Sequence, residues 1–426
     1  MAISASAIHD WSVAAFNQFY PKWNFQEFWT RANTFDACLC FLMAAINKWP
    51  DDKAIVGLMN DANNLITANL SYFNQNLSGD TLWVDDFGWC GNASLTAINY
   101  LSTNGGDGAV ADQYLEIAAA CAKNLQNTGY DAGGMPIPGG YRNSSQQDRT
   151  DGVKNTVTNA STFLLYSRLT GASVGKNYPW QDYLVNAYGQ YCWFAAWFAS
   201  QYDYFHTFGD GFRGLVQERP IAPPDYERKD HPPWEPGWVW TGDQGLLMAG
   251  FREFARILEN QTIADYFKAS WPAVDLDNLK QDLGAKVSSM ALGIAGMLCD
   301  KNYVLQEAPF SSSFGSAYAG AYVAGKGVLM RYLAQVRDVL TFYPSTEICA
   351  SATMAWNNSD QSTHQFGAVW NPSAQMDFQN TFTQLWGLGG DPDKTWDFSE
   401  TNSQVLLPIL QAAGLDVLGA AIPLSQ

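Results

Sequence analysis

The stretch LWVDDFGWC, residues 82–90, organises the interpretation of the whole chain because it places two carboxylates among large aromatic rings at a predicted helix start. Asp85 and Asp86 are adjacent, and Trp83 and Trp89 flank them. Two carboxylates in an apolar wall cannot both stay charged, so the pKa of one is raised while that of the other stays low. That division suits a site with one proton donor and one nucleophile. The competing interpretation is an exposed pair that caps the helix.

A second acidic pair, Asp51-Asp52, serves as a control within the same chain. It follows Pro50 and precedes an apolar pattern with helical spacing, and no aromatic residue comes directly after it. Helix capping is a sufficient explanation for this pair, since Asp is a favoured N-cap residue. The aromatic neighbours are therefore what distinguishes the pair at 85 and 86 from an ordinary helix start.

The composition is that of a globular protein with a large core. Of the 426 residues, 47% are hydrophobic and 15% are charged, and 17 Trp, 20 Tyr and 24 Phe exceed what ordinary core helices need. The net charge of −17 argues against nucleic acid, anionic membranes and polyanionic substrates, whereas a neutral carbohydrate is compatible with it. No apolar run reaches the roughly 20 residues that cross a bilayer, so no membrane span is expected.

The seven Cys and four His show no metal-ligand spacing, so neither a metal site nor a cofactor is expected. Most of the cysteines lie in apolar runs and are expected to be free thiols, with one or two disulfides as the alternative. No signal peptide is present in the sequence as written. Several N-x-S/T triplets and the small number of lysines favour a secreted or extracytoplasmic protein whose leader is absent from this chain; a cytoplasmic location is the alternative.

Apolar residues recur at helical spacing along most of the chain, and alternating strand patterns are scarce. The pattern predicts helices over 10–20, 25–49, 55–73, 88–101, 113–125, 157–171, 183–201, 246–258, 263–271, 279–299, 321–340, 345–356 and 372–386. Long loops rich in Gly and Pro are predicted at 129–151 and 205–238. Six helical hairpins of roughly 60–70 residues would fill the chain and close an inner layer inside an outer one. We therefore expect an all-α fold, a single (α/α)6 barrel domain over residues 1–426, with its active site on loops at one end.

The aromatic-x-DD-x-G-W pattern resembles glycoside hydrolase family 76, the endo-α-1,6-mannanase family. Four further blocks of this resemblance follow in order: Gly133-Gly134 leading to KNTVTN at 154–159, WTGDQG at 240–245, LQE at 305–307 and KGVLMRYL at 326–333. Together the blocks cover about residues 80 to 335. Within them, Asp243 stands where the family has Asn.

The resemblance implies a retaining glycoside hydrolase that acts on α-linked sugars, above all α-1,6-mannan or a related α-glycan. It assigns Asp85 as the nucleophile and Asp86 as the general acid/base. Aromatic rings would stack on sugar faces and polar groups would bind hydroxyls, which makes these residues the substrate-binding candidates: Trp83, Trp89, Asn155, Trp240, Asp243 and Gln244. For Asn155 and Gln244 the alternative is helix capping or buried hydrogen bonding. The expected partner is an oligo- or polysaccharide substrate, and the expected assembly state is a monomer.

Other classes of protein share some of these features. A class I terpene synthase is also helical and acid-rich, but it needs a DDxxD/E motif, and the pair here is followed by Phe-Gly-Trp. A sugar epimerase or another (α/α)6 enzyme would use catalytic His, and the four His do not cluster in the sequence. A non-catalytic glycan-binding protein on the same scaffold would retain the rings, although the intact acid pair argues against it. A related α-glucan hydrolase or transglycosylase would retain both the rings and the acids.

Overall fold

The structure is a computed structural model that describes residues 3–24, 27–78, 82–133, 137–144, 153–198, 214–218, 239–308, 319–386 and 406–426. These ranges contain fourteen α-helices, and the predicted all-α fold is confirmed. The helices are α1 Ala5–Phe19, α2 Phe28–Lys48, α3 Lys53–Asn76, α4 Val84–Thr103, α5 Gly108–Thr128, α6 Thr156–Ser173, α7 Trp180–Phe198, α8 Thr241–Ile257, α9 Gln261–Ser270, α10 Leu276–Met297, α11 Ala319–Gln335, α12 Ser345–Asn357, α13 Pro372–Trp386 and α14 Leu407–Ala421. The predicted loop at 205–238 lies outside the described residues except for 214–218.

Six of the helices form a closed inner ring. In the order α2, α4, α6, α8, α11 and α14, each packs against the next, and α14 packs back against α2. Partner helices lie outside the ring: α3 packs on α2, α5 on α4, α7 on α6, α10 on α8, and both α12 and α1 on α14. This arrangement is the (α/α)6 barrel expected from the sequence.

The inner helices are buried on nearly every face. In α14 every residue from Leu407 to Ala421 is buried. A helix surrounded by other helices needs apolar or small residues all round, so it lacks the one-sided periodicity that marks a surface helix. Within the described ranges, Leu407–Leu424 is also long and apolar enough by composition to cross a membrane, but 89% of this stretch is buried inside the barrel. Its apolar character therefore matches its place in the ring.

A buried ion cluster joins α2, α11 and α14 where the ring closes. Arg331 donates to Asp36 at 2.8 Å and makes two bonds of 2.8 Å to Asp416. Asn33 accepts a further bond from the same guanidinium at 2.8 Å, and the Tyr332 hydroxyl donates to Asp36 at 2.9 Å. All the donor groups of Arg331 point into the protein, so the cluster fixes these three helices relative to one another.

Gly88 permits the close approach of α4 to α6. A Cβ at this position would lie 2.3 Å from the hydroxyl oxygen of Ser161 and 2.9 Å from its Cβ. The Asn92 amide then ties the two helices together, since it donates to the carbonyls of Gly88 and Ser161, each at 2.9 Å. The glycine that follows the acid pair is thus required by packing rather than by backbone conformation.

All seven cysteines fall within the described ranges and are free thiols in the structure. Cys90 and Cys121 are neighbours between α4 and α5, and both are fully buried. Burial raises the pKa of the Cys90 thiol well above its usual value. A buried thiol of this kind acts as a small apolar side chain rather than as a nucleophile.

Candidate active site

The first turns of the inner helices meet at one end of the barrel. Asp85 and Asp86 lie in the first turn of α4, Asn155 is the N-cap of α6, and Trp240 is the N-cap residue of α8. Helix N-termini carry a partial positive charge and unpaired N–H groups, so this end favours nearby anions. The structure therefore brings together, at one end of the barrel, site residues that are distant in the sequence.

Asp86 is 5% exposed, whereas Asp85 is partly exposed. The carboxyl of Asp86 accepts a hydrogen bond from the backbone N–H of Trp83 at 3.1 Å, which closes the first turn of α4. Burial raises the pKa of Asp86 well above its usual value, and the adjacent charge of Asp85 raises it further. Asp86 both caps the helix and has a raised pKa, so the capping interpretation and the acid interpretation apply to the same side chain.

Burial also raises the pKa of Asp85, to about 7. The charge of Glu218 adds to this increase, and a hydrogen bond from the Trp89 side chain opposes it. The charge of Asp85 thus adds to the raised pKa of Asp86, whereas Asp85 itself titrates near pH 7. This is the separation of roles that acid and nucleophilic catalysis by two carboxyls requires.

Three tryptophan rings, those of Trp29, Trp89 and Trp240, pack against one another beside the acid pair, and Trp89 hydrogen-bonds to Asp85. Trp89 lies between Trp29 and Trp240, with ring centroids 6.4 Å apart in both cases. Trp89 and Trp240 are each 4% exposed, and the Trp240 indole donates to the carbonyl of Ala321 at 2.9 Å. Trp83 differs, because 39% of its surface is exposed. Of the three predicted sugar-stacking rings, only Trp83 presents a large open surface.

Asn155 links α6 to a carboxyl that the sequence analysis did not identify. Its side chain accepts from the N–H of Thr158 at 3.3 Å and donates to Glu218 at 2.8 Å. Glu218 is buried, and its other carboxyl oxygen accepts from the N–H of Val157 at 3.4 Å. The capping alternative for Asn155 therefore matches the structure, with the cap also holding an acid in place. No local pattern marks Glu218, which lies in a proline-rich loop of the sequence.

Both polar atoms of the Gln244 side chain form hydrogen bonds within the protein. Its nitrogen donates to the carbonyls of Val216 at 2.7 Å and Trp240 at 3.0 Å, and its oxygen accepts from the N–H of Val216 at 2.8 Å. The side chain is fully buried. These bonds match the buried hydrogen-bonding alternative rather than contact with a sugar, because no amide hydrogen is left for a ligand. Gln244 fixes the segment 214–218 against α8.

Asp243 is fully buried in the first turn of α8. Burial raises the pKa of Asp243 well above its usual value, and the neighbouring charges of Glu218 and Glu307 raise it further. Glu307 accepts from both the N–H (2.9 Å) and the hydroxyl of Thr241. Burial raises the pKa of Glu307 to about 7, against the opposing effect of the buried Lys326 ammonium.

Five carboxyls thus occupy one end of the barrel, with one buried ammonium among them. The residues are Asp85, Asp86, Glu218, Asp243, Glu307 and Lys326. Because burial raises the pKa of four of these carboxyls, the cluster carries less charge than its composition suggests and offers proton donors as well as acceptors. Fold and site together define an (α/α)6 barrel with a cluster of buried carboxyls at one end.

Comparison with solved structures shows which proteins share this fold. The structure matches an inactive variant of an α-1,6-mannanase of glycoside hydrolase family 76 from Salegentibacter sp. HEL1_6, with two consecutive aspartates replaced by alanine and α-1,6-mannotetrose bound. The TM-score is 0.60 at 14% identity, over 98% of this chain and 99% of that chain. No protein-family model and no curated protein sequence matches this chain.

Two further structures match over most of their length. Dfg5 from Chaetomium thermophilum, in complex with glucosamine, has a TM-score of 0.56 and 16% identity, over 94% of this chain and 82% of that chain. A family 76 glycoside hydrolase from a bovine Bacteroides thetaiotaomicron strain has a TM-score of 0.54 and 13% identity, over 97% and 76%. The fold implied by the family resemblance is confirmed: it is the fold of the family 76 glycoside hydrolases.

Proposed function

We propose that this protein is a member of glycoside hydrolase family 76 that cleaves α-linked mannose polymers, with α-1,6-mannan as the first candidate substrate. The observation that carries the proposal is the adjacent pair Asp85-Asp86 at the end of the barrel where the inner helices begin, with the pKa of Asp86 raised well above its usual value and that of Asp85 raised to about 7. The similar α-1,6-mannanase that lacks two consecutive aspartates is inactive and binds α-1,6-mannotetrose, which supports the same role for this pair.

In the proposed mechanism Asp85 is the nucleophile. Its carboxylate attacks the anomeric carbon of the sugar, the glycosidic C–O bond breaks, and a covalent glycosyl-enzyme forms. Asp86 donates its proton to the departing oxygen in this step. It then removes a proton from the water that hydrolyses the intermediate, which returns both carboxyls to their starting states. Retaining enzymes place such carboxyls about 5–5.5 Å apart, a separation that neighbouring residues in a first helical turn are able to adopt.

The surroundings of the pair suit these two roles. Burial and the neighbouring charge of Asp85 hold the proton on Asp86, while the Trp89 hydrogen bond stabilises the ionised form of Asp85. Trp83 offers an exposed aromatic face beside the pair, on which a sugar ring would stack. Because Trp89 and Trp240 are buried, we assign them to the support of the site, and we assign direct stacking to Trp83.

The proposal is tested by incubating the protein with α-1,6-mannan, other α-mannans, dextran and aryl α-glycosides, and measuring reducing ends. We expect release from α-1,6-mannan, with NMR of the first product showing the α anomer. Asp85→Asn and Asp86→Asn should each lower turnover by about 10³-fold or more, as loss of a catalytic group does. The matched control is Asp51→Asn with Asp52→Asn, which changes an adjacent acidic pair at the start of α3, where Asp52 is the N-cap.

Two results would overturn the proposal. Near-wild-type turnover in either single variant would remove the acid pair from the mechanism. Binding of α-mannans by the wild type without any cleavage would indicate a glycan-binding protein on this scaffold. Release from dextran alone would move the substrate to α-glucans and leave the roles of the two aspartates intact.

A further inference from the structure

The carboxyl of Asp243 has an unusual environment. Both of its oxygens are buried, and neither receives a hydrogen bond from an N–H or hydroxyl donor. Its carboxyl contacts that of Glu218, which is itself 5% exposed and which the hydrogen bonds between Gln244 and Val216 hold beside α8. Two buried carboxyls in contact cannot both be ionised, because each charge would be desolvated and would repel the other. One proton must therefore lie between them.

The neighbours of the two carboxyls decide which one carries the proton. Glu218 accepts hydrogen bonds from the Asn155 amide at 2.8 Å and the Val157 N–H at 3.4 Å, and it lies at the N-terminus of α6. These donors favour its charged form. Asp243 has no such donors and faces a second acid, Glu307. The charge of the buried Lys326 ammonium acts on Glu307.

We propose that Asp243 is a protonated carboxylic acid that donates its hydrogen to Glu218, and that this bond holds Glu218 in place as the anionic neighbour of Asp85. Glu218 is then fixed from two sides, by the Asn155 amide of α6 and by the Asp243 hydroxyl of α8. Neither Glu218 nor Asp243 touches the reacting atoms in this assignment, so both are positioning residues. The consequence for Asp85 rests on the proposed function, whereas the shared proton does not.

The protonation state is measured directly by infrared spectroscopy. Protein labelled with ¹³C-aspartate is compared with unlabelled protein, and the isotope-shifted C=O band of protonated aspartic acid is recorded near neutral pH. We expect Asp243→Asn to remove one such component, while Asp277→Asn, which changes an exposed aspartate of α10, leaves the bands unchanged. If the spectrum of Asp243→Asn keeps the full wild-type intensity, Asp243 is ionised and the proposal fails.

Thermal unfolding as a function of pH gives a second readout that is independent of catalysis. The folded protein holds a proton on Asp243 that the unfolded chain releases above about pH 4, so this group makes the wild type lose stability as pH rises. The asparagine of Asp243→Asn donates to Glu218 without titrating. We expect the variant to gain Tm relative to the wild type between pH 5 and pH 8, roughly in proportion to pH. A variant that instead loses Tm over that interval would show an ionised, stabilised Asp243.

The role of Glu218 is read from the pH profile of the proposed hydrolysis. Glu218→Gln removes a negative charge beside Asp85, so the acid limb of kcat/KM should move to lower pH by about one unit. An unchanged acid limb, in a variant with a wild-type Tm, would overturn the link between Glu218 and Asp85. If the protein cleaves no glycan, the proposed function fails, and the infrared and unfolding results still decide the shared proton.

Discussion

Replacing Arg331 with methionine tests how the inner ring is closed. Methionine has a similar length and no charge, so the change removes the guanidinium and leaves Asp36 and Asp416 buried. Four hydrogen bonds of 2.8 Å are lost, one to Asp36, two to Asp416 and one to Asn33. The change therefore acts on α2, α11 and α14 together.

The loss of stability in Arg331→Met follows from the carboxylates of Asp36 and Asp416, which stay buried without a cationic partner. Removing one partner of a buried ion pair costs about 3–5 kcal/mol, because the other charge stays desolvated. An unfolding entropy of about 2.1 cal/mol/K per residue gives a Tm decrease of about 3–6 °C for a chain of 426 residues. Burial raises the pKa of Asp416 to about 6 even with Arg331 present. Without the guanidinium this carboxyl takes up a proton more readily, so the loss of stability should be smaller at pH 5 than at pH 8.

Differential scanning fluorimetry at pH 5 and pH 8 measures both quantities. Adding Asp416→Asn to Arg331→Met should recover part of the lost Tm, because it removes one of the stranded charges. Arg337→Met, which changes an exposed arginine two residues beyond α11, should stay within about 0.5 kcal/mol of the wild type. If the Tm of Arg331→Met at pH 8 lies within about 1 °C of the wild-type value, the cluster does not hold the ring together.

Three further predictions concern the active-site end. Measured on α-1,6-mannan oligosaccharides, kcat/KM should fall below about pH 7 as Asp85 gains a proton and should fall at higher pH as Asp86 loses one; a flat profile from pH 5 to pH 8 would contradict this. Gly88→Ala should lower stability by about 1–3 kcal/mol, since its methyl group would overlap Ser161, and an unchanged Tm would disprove the packing role. Trp83→Ala should raise KM about 10-fold without changing Tm, because the ring is exposed; an unaltered KM would exclude stacking there.

The barrel could be predicted because most helices alternate between a buried face and an exposed one. The pattern located thirteen of the helices, although α8 begins at Thr241 rather than at 246 and α11 ends at Gln335 rather than at 340. It missed α14, whose residues are buried all round. Burial on every face weakens the periodic signal, although the pattern still located α6, in which 15 of 18 residues are buried.

The placing of Asp85 and Asp86 beside aromatic rings could also be predicted, because those rings are adjacent in the sequence. Glu218 could not, since its contacts with Asn155 and Asp243 join three separate segments and leave no spacing to recognise. The sequence did identify Gln244, but residue type alone does not show whether an amide faces a ligand or the backbone. The structure answers that question through the three hydrogen bonds that Gln244 makes within the protein.

The position of α14 between α2 and α11 also has a consequence for biosynthesis. During translation the first five members of the ring leave the ribosome before the sixth, and they expose an apolar seam until it arrives. The contacts that close the ring are remote along the chain. Lys48 of α2 and Ser425, just after α14, are separated by 377 positions, and Asp36 of α2 and Arg331 of α11 by 295. Contacts this distant form slowly, and an open seam invites aggregation. Nascent chains of this protein should therefore need chaperone protection until the last turn of α14 has been synthesised.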